Sequence, residues 1–410
     1  MDRRTLFRSL PALAGVALLA VWGEASVAAE DPKPAPAPIP LASGNAGKNY
    51  LNLSIDGLVA AGWSTEPDVE SLQTGGHDPS QRGFSIQNVE IVFDGAVDPY
   101  FRAQANLILQ IDPEGETVFE LEEVFAVTTS LPGNLQVKAG QYLSEFGRLN
   151  PTHPHTWDFV DQPLVSGRMF GGDGMRSPGA RVAWLMPVPF YSELYLSIQN
   201  GKGETLPGFG GVSGDTYFGR TLDPDFASSG SDFLYVPRYA ASFDPTDTQT
   251  VLLGASGAFG PNGTGDGGST SVLGVDGFWK WKSPRAQKGF PFVKVQVEAM
   301  RRRYEAAETE AAPAETFRDH GAYAQVVWGI RPMWTAGLRL DDSGGDVGDD
   351  PLDPRFQPRR RASVQGTWYP TEYSKVRLQV SWDDRTGAEN VRSAWLQFEF
   401  LLGAHAAHTF

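Results

Sequence analysis

The 410-residue chain has no cysteine. That absence excludes a disulfide framework, cysteine-ligated zinc or iron–sulfur centres, a thiol nucleophile and a lipid carried on cysteine. Positive charge is scarce: 34 Lys and Arg stand against 49 Asp and Glu, a formal net charge of -15. Nucleic acid is therefore not an expected partner, because binding it takes a basic face that displaces counterions. No run of 18 apolar residues follows the first 28 residues, which leaves no transmembrane helix. G-x-S-x-G, H-E-x-x-H and P-loop motifs are missing too, so the chain reads as a non-enzyme with no cofactor. Aromatic residues are not scarce. At 11% they supply more burial than a disordered tail has.

The N-terminus has the build of a secretory signal. Arg3, Arg4 and Arg8 precede an apolar run from Leu10 to Val21, and Ser26-Val27-Ala28 offers a small-x-small cleavage site. The twin Arg3-Arg4 also resembles a twin-arginine signal. The chain then divides into a signal peptide at 1–28, a Pro/Ala-rich periplasmic linker at 29–48 and one domain at 49–410.

From Tyr50 onward the apolar signal alternates every second residue, which is the strand period. Val376, Leu378, Val380 and Trp382 fall on one face, with Lys375, Arg377, Gln379, Ser381 and Asp383 on the other. Such segments occur at 49–61, 84–96, 100–111, 118–129, 135–142, 179–186, 191–200, 234–244, 250–259, 270–282, 292–304, 319–330, 333–341, 360–369, 374–383 and 392–402, sixteen in all. Connections after even segments are short and carry turn residues, as in Leu131-Pro132-Gly133-Asn134. Those after odd segments are mostly long. A β-sandwich also alternates, but segments of about ten residues, loops of unequal length at the two ends and aromatics at strand ends (Trp184, Trp328, Trp334, Trp368) point elsewhere. The expected fold is all-β: a 16-stranded antiparallel transmembrane β-barrel with long extracellular loops and short periplasmic turns, in the outer membrane of a Gram-negative-type cell. Two places break the parity. Glu123 falls on the lipid face of the fourth segment, and the second changes face between Ile86 and Val89; a β-bulge would repair each.

Lys138–Val165 (KAGQYLSEFGRLNPTHPHTWDFVDQPLV), with flanking Gly83–Asp112 and the ending Ala404–Phe410, resembles the phosphate-selective porin O/P-like superfamily. Within it the resemblance is to the branch labelled zinc-regulated TonB-dependent outer membrane receptor. It implies a sixteen-stranded barrel and a homotrimer. The branch label fits poorly, because a TonB-dependent transporter is a plugged barrel of about 22 strands, whereas about sixteen enclose an aqueous channel.

Inward positions then become candidate pore-lining residues. The basic set is Arg102, Lys138, Arg181, Arg238, Lys280, Lys294, Arg302, Arg339, Arg361, Lys375 and Arg377. The acidic set is Asp56, Glu90, Asp94, Glu120, Glu122, Glu193, Asp276, Glu298, Asp341, Asp383 and Glu399. The balance excludes a lumen of one sign, and cross-barrel ion pairs that rigidify the wall account for most of these residues, but Lys294, Arg302, Arg339, Arg361, Lys375 and Arg377 form a local stripe expected to face anions. The 143–178 loop is too apolar to hang in water and is expected to narrow the lumen, with Phe146, Arg148, Trp157, Asp158 and Arg168 as candidate constriction residues. His153-x-His155, with Asp158 and Asp161 nearby, could ligate a divalent metal or could shape a turn with Pro151 and Pro154. His405 and His408 have the same standing. Asp346, Asp349, Asp350 and Asp353 lack calcium-loop spacing and read as a solvated loop.

The functional expectation is a porin for passive diffusion of small hydrophilic or anionic solutes. The alternative is a receptor or metal-uptake component that captures a ligand at its acidic outer loops. Expected partners are outer-membrane lipid and lipopolysaccharide, the barrel-assembly machinery and the transported solutes.

Overall fold

The structure, a computed structural model, describes residues 39–44, 49–224, 230–351 and 353–403. The proposed signal peptide and the two tail histidines lie outside these residues. Sixteen strands run in chain order: β1 (Asn49–Ser64), β2 (Gly83–Ala96), β3 (Phe101–Ile111), β4 (Thr117–Thr128), β5 (Leu135–Leu143), β6 (Arg176–Leu185), β7 (Tyr191–Asn200), β8 (Phe233–Thr246), β9 (Gln249–Pro261), β10 (Ser269–Gln287), β11 (Phe290–Ala306), β12 (Glu315–Arg331), β13 (Trp334–Gly345), β14 (Arg359–Thr371), β15 (Ser374–Arg385) and β16 (Val391–Gly403). Each pairs antiparallel with the next, and β16 returns to pair with β1 from Gly403↔Ser54 to Ser393↔Ser64. The sheet therefore closes into a barrel. Within the stretch expected to be a linker, Ile39–Gly44 forms a short strand on residues 49–53 of β1, the part β16 does not cover.

The alternation sorts side chains as the pleat requires. On β15, Leu378 is 47% exposed on the outside while its neighbour Gln379 is 0% exposed within. Val275, Leu340 and Leu396 continue an exposed apolar outer face. A face of this kind suits lipid, and a soluble protein rarely carries one. Trp334 and Trp368 stack at the end of this belt, with ring centroids 6.1 Å apart. β10, β11 and β12 run to 19, 17 and 17 residues, longer than their segments predict, because pairing continues past the belt. Arg301, Arg303, Arg318 and His320 cover the outer face of those extensions.

Both parity conflicts resolve as bulges. Leu107 pairs with Leu121 and Asn106 with Glu123, so Glu122 is the inserted residue. As a result Glu122 (2% exposed) and Glu123 (5%) both turn inward. Leu58 pairs with Asn88 and Val59 with Ile86, which inserts Gln87 in the same way.

Candidate functional site: the loop inside the barrel

The chain between β5 and β6 turns into the barrel and carries a short helix, α1 (Leu164–Phe170). Its apolar residues explain the direction. Phe146, Val165, Met169 and Phe170 pack on Leu234, Val236, Ala258, Val272, Met300 and Tyr323 of the wall in one buried cluster. Two wall glycines seat them: a Cβ at Gly274 would stand 2.7 Å from the Phe146 ring, and one at Gly321 2.7 Å from Val165.

Wall side chains hold the loop backbone. Gly147 N–H donates to Ser256 Oγ (3.1 Å), Leu149 N–H to Glu298 Oε1 (2.9 Å), Val160 N–H to Gln379 Oε1 (2.7 Å) and Leu164 N–H to Asp341 Oδ1 (3.2 Å). Arg377 donates to the carbonyls of Phe159 (3.0 Å) and Trp157 (2.7 Å), and Lys375 to that of His155 (2.5 Å). Asp161 is the hub: it takes Arg339 at 2.8 Å, Arg361 at 2.5 Å and the Gln379 amide at 2.7 Å. Burial works against the Asp161 charge, but the two guanidinium groups hold its pKa below the ordinary value. Arg168 shares Asp319 with Arg302, at 2.9 and 2.5 Å.

These contacts correct the expectation of a basic stripe facing anions. Arg302, Arg339, Arg361, Lys375 and Arg377 do point inward, yet they are consumed by the loop and by wall carboxylates; Arg339 and Arg377 are each 1% exposed. Lys375 also pairs with Glu399, and Glu120 with Arg176. Arg238 is bound to Asp276 (2.6 Å), Arg181 to Glu145 (2.5 Å) and Lys138 to Glu145 (3.6 Å). Glu298 also accepts from the Tyr323 hydroxyl (2.7 Å). Arg102 is exposed near the short-turn end.

Lys294 is the least buried member of the stripe, its side chain 27% exposed. It borders a cavity of about 340 Å³ beneath the loop, with Arg148, Trp157, Asp158, Phe278 and Lys280. Lys294 pairs with Asp158 at 2.7 Å. Arg148 lies over the Phe278 ring (4.1 Å) and donates to Gln296 Oε1 (3.2 Å). Lys280 sits 5.3 Å from the Phe292 ring centroid. Among the described residues neither Arg148 nor Lys280 has a carboxylate within 4.0 Å. Of the predicted constriction residues, Arg148, Trp157 and Asp158 face this cavity, whereas Phe146 and Arg168 are buried fastenings.

The histidine pair lies on the other flank of the loop, and its surroundings are a second correction. Asp158 and Asp161, expected beside it, are bound elsewhere. His153 instead meets three wall carboxylates: Glu122 Oε2 at 2.9 Å, Glu123 Oε2 at 3.0 Å and Glu90 Oε1 at 3.4 Å. His155 Nδ1 lies 3.0 Å from Glu90 Oε2, and the two imidazoles stack 5.8 Å apart. His77, from the β1–β2 connection, approaches Glu122 at 3.6 Å. Burial disfavours charge on His153, but Glu90 and Glu122 raise its pKa well above the ordinary value. The Glu122–Glu123 bulge was the one sequence signal for this cluster, because it turns two adjacent acids to one side. The outer acids do not converge: Asp349 pairs with Arg220 (2.6 Å) and Asp353 with Arg355 (2.6 Å).

No family model matches the chain. An uncharacterized protein of Aquifex aeolicus (strain VF5) is 32% identical over 364 residues, covering 82% of this chain and 73% of that protein. The outer membrane channel DcaP of Acinetobacter baumannii superposes with a TM-score of 0.56 at 12% identity, over 88% of this chain and 99% of that one. An anion-selective porin from Comamonas acidovorans superposes with a TM-score of 0.53 at 7% identity, over 86% and 100%. At these identities the likeness is one of fold, that of the outer-membrane porins.

Proposed function

The chain belongs to the same family as the Aquifex aeolicus protein, and we propose that it is an outer-membrane porin through which small hydrophilic or anionic solutes diffuse passively. The observation that carries this reading is the space beneath the inward loop. A barrel serving as a sealed scaffold gains from filling its interior, yet a cavity of about 340 Å³ stays open and is edged by Arg148, Lys280 and Lys294 against Asp158. In this reading residues 1–28 direct export, the barrel-assembly machinery inserts 49–410, and the long loops face lipopolysaccharide. The acidic outer surface has little say in selectivity, which belongs to the uncompensated cations at the narrowing. The assembly is a homotrimer.

Purified protein in a planar bilayer under a salt gradient tests this. Stepwise conductance is expected, with a reversal potential on the anion side. Arg148→Glu combined with Lys280→Glu should move that potential toward cations. A wild-type barrel that inserts and passes no current overturns the channel and favours the receptor.

A further inference from the structure

The cluster on the β2–β4 flank is built differently from an ordinary buried ion pair. The two ring nitrogens of His153 face opposite ways. Nε2 is hydrogen-bonded to Glu123 Oε2 at 3.0 Å, which in the neutral ring makes Nε2 the donor and leaves the Nδ1 lone pair directed at Glu90 and Glu122. Nδ1 is 2.9 Å from Glu122 Oε2 and 3.4 Å from Glu90 Oε1, so one ring nitrogen stands between two buried wall carboxylates.

We propose that Glu90, Glu122 and His153 form a site for a divalent transition-metal ion that fastens the loop to the barrel wall. One ligand atom from each lies within 4.8 Å of the others. Donors bound at about 2.0–2.2 Å to one ion stand roughly 3–3.5 Å apart; His153 Nδ1 already stands 2.9 and 3.4 Å from the two carboxylate oxygens, and binding would draw those oxygens toward each other. Imidazole nitrogen with two carboxylates suits a first-row ion, and the two carboxylates balance its charge. The surrounding residues act as an outer shell does. Glu123 on Nε2 completes a carboxylate–histidine–metal relay, while Asn106 and His155 hold the two oxygens of Glu90. A cavity of about 20 Å³ lined by His77, Glu122, Asn150 and Thr152 adjoins the cluster, a volume that fits one water-sized ligand. The alternative is that His153 is an imidazolium held by carboxylates, which needs no metal.

The test uses the whole barrel in detergent, stripped with a chelator and titrated with zinc chloride, with cobalt(II) absorption as an independent readout of the ligand field. The wild type is expected to take up one ion per chain. His153→Ala, Glu122→Gln and Glu90→Gln should each weaken uptake at least tenfold, and Glu123→Gln by about 10- to 100-fold through the outer shell. Asp158→Asn should leave uptake unchanged. His153 lies outside the sheet, so barrel circular dichroism should be intact in its variant, and the glutamine variants keep side-chain shape. The proposal is overturned if the wild type takes up neither zinc nor cobalt, or if uptake is the same in the His153 and Glu122 variants. The readout is metal content, so it stands whether or not the barrel conducts.

Discussion

Toward β13–β15 the inward loop offers a carboxylate to cations on the wall; toward β2–β4 it offers imidazoles to carboxylates on the wall. On the first flank Asp161, Asp341 and Asp383 meet Arg339, Arg359 and Arg361 in a closed network with matched charge. Guanidinium groups stay charged at any ordinary pH, so this flank is permanently compensated. On the second flank Glu90, Glu122 and Glu123 face histidines, whose charge is conditional. One segment is thus riveted on one side and held on the other by whatever cation the imidazoles or their surroundings supply.

Three substitutions probe that contrast, each read by hydrogen exchange at the Val160 and Leu164 amides, which bond to the wall. The largest effect is expected from Asp161→Asn. Breaking a buried ion pair costs about 3–5 kcal/mol, and the lower end applies because Arg339 keeps Asp341 and Arg361 keeps Asp383. Exchange should accelerate by about two orders of magnitude with the barrel sheet unchanged. Unchanged exchange would mean that the apolar seat alone holds the loop. Gly321→Val tests that seat, since it drives a branched side chain into Val165. Overpacking of about 1–3 kcal/mol should speed exchange by roughly ten- to a hundredfold, more at Leu164 than at Val160. The smallest effect is expected from Asp158→Asn. Its pair with Lys294 is partly exposed and worth about 0–1 kcal/mol. A change beyond about tenfold would place Asp158 among the rivets rather than at the cavity rim.

Much of the barrel was legible because its information is local. Alternation at Lys375–Asp383 reports a strand whatever lies elsewhere, and the parity break at Glu123 marks a bulge from six neighbouring letters. The loop's direction was legible too, from Phe146, Phe159 and Phe170. Its partners were not. Asp161 meets Arg339 and Arg361 across 178 and 200 residues, and no local period records such a meeting. The stripe of inward cations is therefore expected from sequence to face anions, when Arg339, Arg361 and Arg377 face the loop. His153 illustrates the same limit: its sequence neighbours Asp158 and Asp161 look like ligands, while Glu90 and Glu122 come from strands that pair long before it.

The inward loop also carries a consequence for the order of events in assembly. It is synthesised between β5 and β6, but its fastenings are on β2 and β4 behind it and on β9 to β15 ahead of it. Docking needs strands from both halves of the chain, and such long-range closures come late. Until β12 arrives, Phe146, Val165 and Phe170 have no complete seat. A half-inserted barrel therefore carries its own sticky segment, and settling that segment is among the last steps that separate a finished barrel from an unfinished one.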